Sequence, residues 1–343
     1  MRRLLNTLYV MTQKSYLAHE GENVLVRIEA STRLRVPVHT LQGIVCFGQV
    51  SCSPSLLRLC CARGVSVSFM SLYGRFWARV QGQIPGNVLL RRRHYRCADD
   101  PETTAEVARA LVLGKVANCR LVLLRALRDH TDHPHAGDLE QASRYLARIG
   151  RILQKQASVD VIRGHEGEAA KSYFGVFDHL ITAQKGDFSF RMRTRKPPLD
   201  NVNSILSFVY TLLAHDVSSA LESVGLDPAV GFLHKDRPGR HGLALDLMEE
   251  LRPVIADRVT LTLINRRQIQ GRDFVKTETG AVMMSDEARK TVLRTYQERK
   301  QESLYHPFLD EKFEIGMIPF AQALLMARFL RGDLEAYPPF LWR

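Results

Sequence analysis

The chain has 343 residues, of which 45% are hydrophobic and 24% are charged, enough to bury the core of a globular protein with two domains. A membrane-spanning or exported protein is not expected, because no uncharged apolar run approaches the roughly 18 to 20 residues that span a bilayer and the first residues lack a signal core. A formal net charge of +12 and a pI near 9.6 favour a polyanionic partner, because each cation set against a phosphate releases counterions. The alternative is a basic surface without consequence.

The six cysteines are expected to be reduced, in keeping with a cytoplasmic protein. None of them forms a Cys-x-x-Cys pair, and their neighbours are apolar, as in Leu59-Cys60-Cys61-Ala62. We interpret them as small hydrophobic side chains rather than zinc ligands or disulfides. They are Cys46, Cys52, Cys60, Cys61, Cys97 and Cys119.

Strand patterns dominate the first hundred residues. Alternation and short apolar runs predict strands over 23–29, 43–47, 65–69 and, after a tight turn at Tyr73–Gly74, 74–80. One helix interrupts them, from the capping residue Ser53, which precedes Pro54, to Gly64.

A polar stretch with a proline, at 95–102, separates the strand patterns from helical periodicity. The predicted fold is therefore α+β, with an N-terminal β-rich domain over 1–98 and a larger all-α domain over 99–343. Asp200 is the natural N-cap of one helix, and Pro253 is expected to break another. The predicted helices cover 104–128, 138–156, 166–180, 201–224, 243–265 and 285–301.

A block rich in glycine and acidic residues reads Arg163-Gly-His-Glu-Gly-Glu-Ala-Ala-Lys-Ser-Tyr-Phe174. We expect Glu166 in the first turn of a helix, where the helix dipole stabilises a carboxylate and flanking glycines allow a ligand to approach closely. Ala170 and Tyr173 share the face of Glu166, so a small residue leaves room beside the carboxylate. The alternative is a helix start that carries acids for the dipole alone.

A second block covers residues 231–253. An apolar run leads to His234 in a loop rich in glycine and cations, and the next helix carries Asp246 and Glu249 three residues apart, on one face. Two carboxylates on a mostly apolar helix repel each other and lose hydration unless a cation or solvent compensates them. An amphipathic helix with a solvated acidic stripe is the alternative, and Glu250 is expected to point elsewhere.

Glu166, His234 and Glu249, with Asp246 nearby, form an oxygen-rich set of donors with a single imidazole. This set suits Mg2+ or Mn2+ better than Zn2+, which favours nitrogen and sulfur. A hard cation beside basic loops indicates phosphoryl chemistry, in which the metal polarises a phosphate and lowers the pKa of a bound water or hydroxyl. We predict Glu166, His234 and Glu249 as metal ligands and all four residues as catalytic.

Two groups of cations are candidates for contacts with a DNA backbone; the alternative is a solvated turn for the first group and idle surface for the second. The first group shares the loop of His234 and comprises Lys235, Arg237 and Arg240, followed by His241. The second group precedes a Pro-Pro turn and comprises Arg191, Arg193, Arg195 and Lys196.

Three further histidines resemble a metal site in Arg128-Asp-His-Thr-Asp-His-Pro-His-Ala-Gly137. His130, His133 and His135 lie between two predicted helices, with proline and glycine among them. We interpret this segment as a variable surface loop.

Several segments together carry a family resemblance over nearly the whole chain. They are Gly114-Lys-Val-Ala-Asn-Cys-Arg120, the Gly-His-Glu-Gly block at Glu166, Arg195-Lys-Pro-Pro-Leu-Asp-Asn-Val-Asn203, the block from His234 to Glu249, and Leu263-Ile-Asn-Arg-Arg-Gln268. The chain resembles the CRISPR-associated Cas1 family of spacer-acquisition integrases, and its overall sequence is similar to the subtype I-C branch.

The resemblance implies a divalent-metal site of Glu166, His234 and Glu249, with Asp246 as the neighbouring acid. It leaves open whether Asp246 or Glu249 ligates the ion directly. It also implies an N-terminal β domain for homodimerisation, a helical catalytic domain, and a heterohexamer in which two such dimers flank a central dimer of the partner Cas2.

The implied function is that of a metal-dependent DNA endonuclease and integrase. The 3′-hydroxyl of a captured double-stranded DNA fragment attacks a phosphodiester at the border of the CRISPR repeat, and this transesterification inserts a new spacer into the array. One alternative is a structure-specific nuclease for branched DNA repair intermediates. Another is a DNA-binding scaffold without catalytic activity, whose acidic helix is merely structural.

Overall fold

The computed structural model describes residues 6–29, 31–72, 76–80, 82, 88–129 and 132–342. They belong to two compact units, Met1–Pro85 and Gly86–Arg343. Strands fill most of the first unit and helices dominate the second, which confirms the predicted α+β class. The second unit is not purely helical as predicted, because two small two-stranded ribbons occur among its described residues.

The described part of the first unit contains two four-stranded sheets and one α-helix. The first sheet has the order β1-β5-β7-β8, in which only β8 is antiparallel to its neighbour, and the second has the order β4-β3-β2-β6. Strands predicted over 23–29, 43–47 and 65–69 are confirmed by β3, β5 and β7. The elements are β1 (Asn6–Val10), β2 (Tyr16–Glu20), β3 (Asn23–Ile28), β4 (Ser31–Pro37), β5 (Leu41–Phe47), β6 (Ser51–Cys52), α1 (Pro54–Arg63), β7 (Ser66–Met70) and β8 (Phe76–Val80).

Helix α1 begins and ends where local sequence signals predict. The Ser53 hydroxyl accepts a hydrogen bond from the backbone N–H of Leu56 at 3.2 Å, and Gly64 ends the helix with a φ of 68°, which favours glycine. Leu56 and Cys60 are buried in the core of this unit. The turn predicted at Tyr73–Gly74 lies outside the described residues.

The second unit is built mainly from helices, of which α3 and α6 are the longest among the described residues. The helices over α3 to α9 were predicted, whereas α2 and α10 were not. The elements are α2 (Val88–Asp99), α3 (Pro101–Asp129), α4 (Ala136–Leu153), α5 (Val159–Gly175), α6 (Asn201–Ser223), α7 (Gly242–Leu251), α8 (Arg258–Asn265), β9 (Phe274–Lys276), β10 (Val282–Met284), α9 (Asp286–Gln301), β11 (Ser303–His306), β12 (Glu311–Glu314) and α10 (Ile318–Arg331).

The observed division of the chain falls before α2, whereas the sequence places the boundary at residue 98. Helix α2 belongs to the second unit, where His94 Nε2 lies 3.0 Å from the carbonyl oxygen of Val230 and the Tyr95 hydroxyl donates to Asp227 at 3.1 Å. The polar stretch is therefore the short link between two helices. Pro101 does not mark a domain boundary, because it is the first residue of α3 and proline fits the first turn of a helix.

Helix α5 begins earlier than predicted, at Val159, so Glu166 lies in the middle of the helix and not in its first turn. The expected stabilisation of Glu166 by the helix dipole is therefore wrong, because that effect decays within one turn. Gly164 and Gly167 are helical, and a Cβ atom on either would meet nothing within 4 Å. Burial of apolar residues such as Ile162 outweighs the cost of about 1 kcal/mol that each helical glycine carries.

The predicted break at Pro253 is confirmed and takes the form of one π-helical turn, Pro253–Asp257, between α7 and α8. The backbone N–H of Asp257 donates to the carbonyl of Arg252 at 3.0 Å, one residue beyond the α-helical spacing. The turn changes which side chains point inward, so that Arg252 and Asp257 are both buried beside Glu249.

Helix α6 forms part of the core of the second unit. The Asp200 carboxylate caps it as predicted, accepting from the backbone N–H of Asn203 at 2.7 Å. Among the described residues, α6 is the helix that is long and apolar enough to cross a membrane by length and composition, and 67% of its apolar window is buried inside the structure.

Candidate active site

Lys115 of α3 joins two of the predicted ligands. Its Nζ contacts Glu166 Oε1 of α5 and lies 2.7 Å from Glu249 Oε2 of α7. The lysine side chain is 8% exposed and that of Glu249 only 3%, so this ion pair is shielded from water. Carboxylates from two helices therefore converge on one cation, at a position where the sequence analysis assigned no role to Lys115.

Glu249 is held in its ionised form by two cations. Its Oε1 accepts a hydrogen bond from Arg252 Nη1 at 2.5 Å, and its Oε2 faces Lys115. Burial on its own raises the pKa of Glu249, but the charges of Arg252 and Lys115 outweigh burial and lower this pKa to about 2. The carboxylate is consequently available as an anionic ligand throughout the neutral range.

Asp246 holds the loop that carries His234. Its Oδ2 accepts from the backbone N–H groups of Phe232 and Leu233 at 2.6 and 2.9 Å. Its Oδ1 accepts from the backbone N–H of His234 at 2.9 Å and lies 2.6 Å from His234 Nδ1. Asp246 is fully buried, and its two oxygens already have four partners. The contact with Asp246 requires a proton on His234 Nδ1. In the neutral ring, the lone pair that could bind a metal is therefore on Nε2.

Two glycines let this loop approach α7. A Cβ atom on Gly231 would lie 2.9 Å from Asp246 Oδ2 and 2.8 Å from the carbonyl carbon of Gly242. A Cβ atom on Gly242 would lie 2.7 Å from the carbonyl oxygen of Ala229. The glycine content noted in the sequence is therefore a steric requirement of the site.

Arg163 connects the His234 loop to α5, one turn before Glu166. Its Nε and Nη2 atoms donate to the carbonyl oxygen of Leu233 at 3.1 and 2.8 Å. The contact of His234 with Asp246 places this ring beside the face of α7 that carries Asp246 and, three residues on, Glu249. The structure thus joins Glu166 to Glu249 through Lys115, and it joins His234 to Asp246 on the same helix as Glu249.

A polar layer lies next to Glu249 at the π-helical turn. The hydroxyls of Tyr173 and Tyr210 donate to the two oxygens of Asp257 at 3.0 and 2.7 Å. Burial raises the pKa of Asp257 to about 6. The guanidinium of Arg252 stacks on the ring of Tyr210, 5.1 Å from its centroid, so the cation beside Glu249 is itself fixed in place.

Glu250 points away from the site, as predicted, and binds the C-terminal segment. It accepts from the Tyr337 hydroxyl at 2.7 Å, from Gln322 Nε2 at 2.8 Å and from the backbone N–H of Phe340 at 2.9 Å. Burial raises its pKa to about 7. Across from it, Gly114 leaves room, since a Cβ atom there would lie 3.1 Å from the Cβ of Glu250.

One face of α3 therefore serves both the site and the C-terminal segment. Asn118 Nδ2 donates to the carbonyl oxygens of Glu250 and Phe340 at 2.7 and 2.8 Å, and Asn118 Oδ1 accepts from Trp342 N at 2.8 Å. The sequence contained a signal for these residues. A lysine and an asparagine at 115 and 118 lie within the mostly apolar buried face of a long helix, and buried polar groups of this kind need partners.

The predicted DNA-binding cations divide into exposed and internal groups. Arg193 is internal, because its guanidinium donates to Asn203 Oδ1 at 2.7 Å and to Ser207 Oγ at 3.1 Å and lies 5.2 Å from the ring centroid of Tyr210. Arg240 is half-buried and donates weakly to the carbonyl of Lys235. The cations that face solvent are Arg191, Arg195, Lys196, Lys235 and Arg237.

The donor set fits a hard divalent cation. Carboxylates from α5 and α7 face the Lys115 ammonium, which shows that the surroundings favour positive charge there, and His234 lies beside Asp246 of the same helix as Glu249. Oxygen donors with a single nitrogen are the ligands that Mg2+ and Mn2+ accept in proteins.

Comparison with known proteins places this geometry in a family. The model of the family described as CRISPR associated protein Cas1 matches residues 8–298. The chain is 55% identical over 343 residues to the CRISPR-associated endonuclease Cas1 1 of Chlorobaculum tepidum, with 100% of both chains covered. It is 51% identical over 347 residues to the CRISPR-associated endonuclease Cas1 2 of Rhodospirillum rubrum, again with both chains fully covered.

Solved structures share the fold at lower identity. A CAS1 protein from Thermotoga maritima matches with a TM-score of 0.80 at 21% identity, covering 97% of this chain and 99% of that one. A casposase bound to integration product matches with a TM-score of 0.82 at 20% identity, covering 98% and 94% of the two chains. A Cas6-RT-Cas1–Cas2 complex matches with a TM-score of 0.79 at 21% identity, covering 98% of this chain and 36% of that one.

The matched family spans most of the chain, and relatives with more than half of their residues identical carry the name endonuclease. The chain therefore belongs to the CRISPR-associated Cas1 family of endonucleases.

Proposed function

We propose that this chain is a metal-dependent DNA endonuclease and integrase that inserts new spacer DNA into a CRISPR array. The observation that supports this most is the convergence of Glu166 and Glu249, from two helices, on the buried Lys115 ammonium, while His234 is held by Asp246 one turn before Glu249. The bound ion, Mg2+ or Mn2+, supplies Lewis-acid activation of a phosphate or hydroxyl oxygen. The function was predicted from sequence, and membership of the Cas1 family supports it.

Glu249, rather than Asp246, is the acidic ligand from α7 in this proposal. Both oxygens of Asp246 are occupied by backbone N–H groups and by His234, so Asp246 positions the imidazole. Glu249 faces Glu166 across Lys115, where it holds negative charge against the ion. Arg252 keeps Glu249 ionised and fixes its orientation.

The reaction proposed is an in-line transesterification at the border of the CRISPR repeat. The nucleophile is the 3′-hydroxyl of a captured double-stranded DNA fragment, and the leaving group is the DNA 3′-oxygen of the attacked phosphodiester. The exposed cations hold the phosphates of the two DNA molecules through salt-sensitive contacts, whereas Arg193 acts within the fold. These exposed cations are Lys235 and Arg237 beside the site, and Arg191, Arg195 and Lys196 on the second loop.

The assembly proposed is that of the integration complex. The structural neighbours include a protein bound to integration product and a complex that contains Cas2, which supports DNA and Cas2 as partners of this chain. We propose homodimerisation through the N-terminal β-rich domain, catalysis by the helical domain, and two dimers flanking a central Cas2 dimer. A cytoplasmic location and subtype I-C complete the proposal.

The first test compares Glu166→Ala and His234→Ala with the wild type in Mn2+-dependent joining of a fragment to a repeat-containing plasmid. Both variants should lose joining and retain salt-sensitive DNA binding, because they remove ligands and leave the exposed cations unchanged. Glu168→Ala is the matched control, since Glu168 is an exposed acid on the same helix. Wild-type joining by either ligand variant would place the chemistry elsewhere.

A second experiment separates the integrase from a nuclease that acts on branched DNA. Fragments with blocked 3′ ends should abolish joining by the wild type. If the same enzyme hydrolyses branched DNA efficiently and joins no unblocked fragment even with Cas2 present, the structure-specific nuclease is the better description. If the wild type binds DNA but neither joins nor hydrolyses it with Mn2+ and Cas2 present, the DNA-binding scaffold is the better description.

A further inference from the structure

A second group of potential metal ligands lies in the helical unit, apart from the residues of the active site. His135 immediately precedes α4, Asp138 lies in the first turn of α4, and His179 lies in the 3-10 turn Phe177–Leu180 that follows α5. One ligand atom of each lies within 4.8 Å of the others. The sequence analysis treated His133 and His135 as part of a surface loop, and His130 lies outside the described residues.

The distances match the edges of a tetrahedral site. Asp138 Oδ2 lies 3.6 Å from His135 Nδ1 and 3.4 Å from His179 Nε2. Ligands placed 2.0 to 2.1 Å from Zn2+ at tetrahedral angles are separated by about 3.3 Å from each other. A single ion can therefore reach the carboxylate and both imidazoles once one of the two stacked rings turns about its side-chain torsions, so that the two nitrogen lone pairs converge.

A buried histidine fixes the backbone of both imidazole residues. His133 is 8% exposed, so it is not a surface residue. Its Nδ1 accepts from the backbone N–H of His135 at 3.1 Å, and its Nε2 lies 3.0 Å from the carbonyl oxygen of His179. One ring thus links the two segments that carry the ligands. This arrangement orients the donors before any ion arrives.

The two imidazole rings of the cluster lie side by side. The rings of His135 and His179 stack with centroids 3.9 Å apart and an interplanar angle of 14°. Among the neighbouring charges, Lys185 pairs with Asp178 at 2.7 Å, so this lysine is already compensated.

We propose that His135, Asp138 and His179 form a second metal site, which binds Zn2+ with a water molecule as the fourth ligand. The nitrogen-rich donor set distinguishes it from the oxygen-rich active site, which suits Mg2+ or Mn2+. The ion joins the start of α4 to the turn that ends α5, the helix that carries Glu166. Its role is structural, because it fastens two segments that are separated in the chain.

The test measures Zn2+ binding to the untagged full-length protein in the presence of excess Mg2+, by calorimetry and by elemental analysis after gel filtration. We expect one Zn2+ for each wild-type chain. Asp138→Asn and His179→Gln should weaken binding at least tenfold, whereas Glu140→Gln, which changes an exposed acid on the same helix, should bind as the wild type does. Co2+ in the wild type should show the intense visible absorption of a tetrahedral site.

Controls address folding and the other site. The metal-free variants should unfold at the wild-type temperature, and Zn2+ should raise that temperature by several degrees only in the wild type and Glu140→Gln. His135→Ala provides a further ligand variant, because its side chain makes no capping hydrogen bond to α4. The proposal is overturned if no Zn2+ binds at micromolar concentration, if the ligand variants bind it normally, or if Glu166→Ala abolishes the binding.

Discussion

Asp246→Asn tests whether Asp246 positions His234 or ligates the metal. The asparagine retains one oxygen, so its amide nitrogen must take one of two positions. It faces either the backbone N–H groups of Phe232 and Leu233, or the backbone N–H and the ring Nδ1 of His234. In the first orientation two buried donors lose their acceptor. In the second, the backbone N–H of His234 loses its acceptor, and the ring must accept at Nδ1 and carry its proton on Nε2.

Both orientations cost stability and impair the site. Hydrogen bonds to a charged acceptor contribute roughly 1.5 to 3 kcal/mol each, and one or two of the four are lost, so we expect the free energy of unfolding to fall by about 2 to 6 kcal/mol. Residues that orient a metal ligand typically change metal affinity or activity by roughly 10- to 100-fold. Mn2+-dependent joining should fall within that range, since His234 is misdirected while Glu166 and Glu249 remain.

Urea unfolding at neutral pH, Mn2+ calorimetry and the joining assay measure these effects. Asp236→Asn is the matched control, because Asp236 is an exposed acid in the same loop, and it should behave as the wild type does. An Asp246→Asn protein with unchanged stability and joining would refute the hydrogen-bonding argument. Unchanged stability with complete loss of Mn2+ binding would instead make Asp246 a direct ligand.

Three other changes probe the same unit. Burial raises the pKa of Glu250 from 4.5 to about 7, so the folded state binds this proton more tightly than the unfolded state does. The free energy of unfolding should therefore fall by about 3 kcal/mol from pH 4.5 to pH 7. In urea titrations, Glu250→Gln should remove this contribution. Gly231→Ala should lower the free energy of unfolding by about 1 to 3 kcal/mol, since the new Cβ meets Asp246. Gly164→Ala should raise it by about 0.5 to 1 kcal/mol, because alanine favours the helix and its Cβ meets nothing. Thermal unfolding of both variants measures these effects. Lys115→Met should destabilise the metal-free protein by about 3 kcal/mol, because two buried carboxylates lose their cation. Mn2+ should raise the Tm of this variant more than that of the wild type, because the ion replaces the missing charge. Equal rises in Tm would contradict this prediction.

Features of the fold with local causes were predictable from the sequence. Ser53 and Asp200 cap their helices because each side chain reaches a backbone N–H three residues ahead. Pro253 interrupts its helix because it lacks the N–H that a continuous α-helix requires. Each of these effects involves neighbours in the chain, so no knowledge of the tertiary structure was needed.

The surroundings of Glu166 were not predictable in the same way. The sequence suggested a helix start, because glycines flank the acid, yet the helix begins at Val159. The charge that stabilises Glu166 comes from Lys115, on another helix and 51 residues away. Local patterns contain no such partner, although a lysine on an apolar helix face does indicate that one exists.

The cations that precede the Pro-Pro turn show the same limit of local sequence patterns. Arg191 and Arg193 are equivalent in the sequence, as alternate cations in one segment, but only Arg191 is exposed. Asn203, in the first turn of α6, draws the Arg193 guanidinium inward through a hydrogen bond of 2.7 Å. Which cation of a cluster faces solvent depends on where the next helix packs, and periodicity does not specify that.

The charges of the candidate active site explain why bound DNA should favour binding of the metal ion. Glu166 and Glu249 are balanced by Lys115 and Arg252, so these four groups carry no net charge. A divalent cation leaves the cluster with an excess of positive charge, which is costly in a buried place unless further anions approach. The phosphates of bound DNA are such anions. Metal and DNA should therefore bind cooperatively, with each compensating the charge that the other introduces.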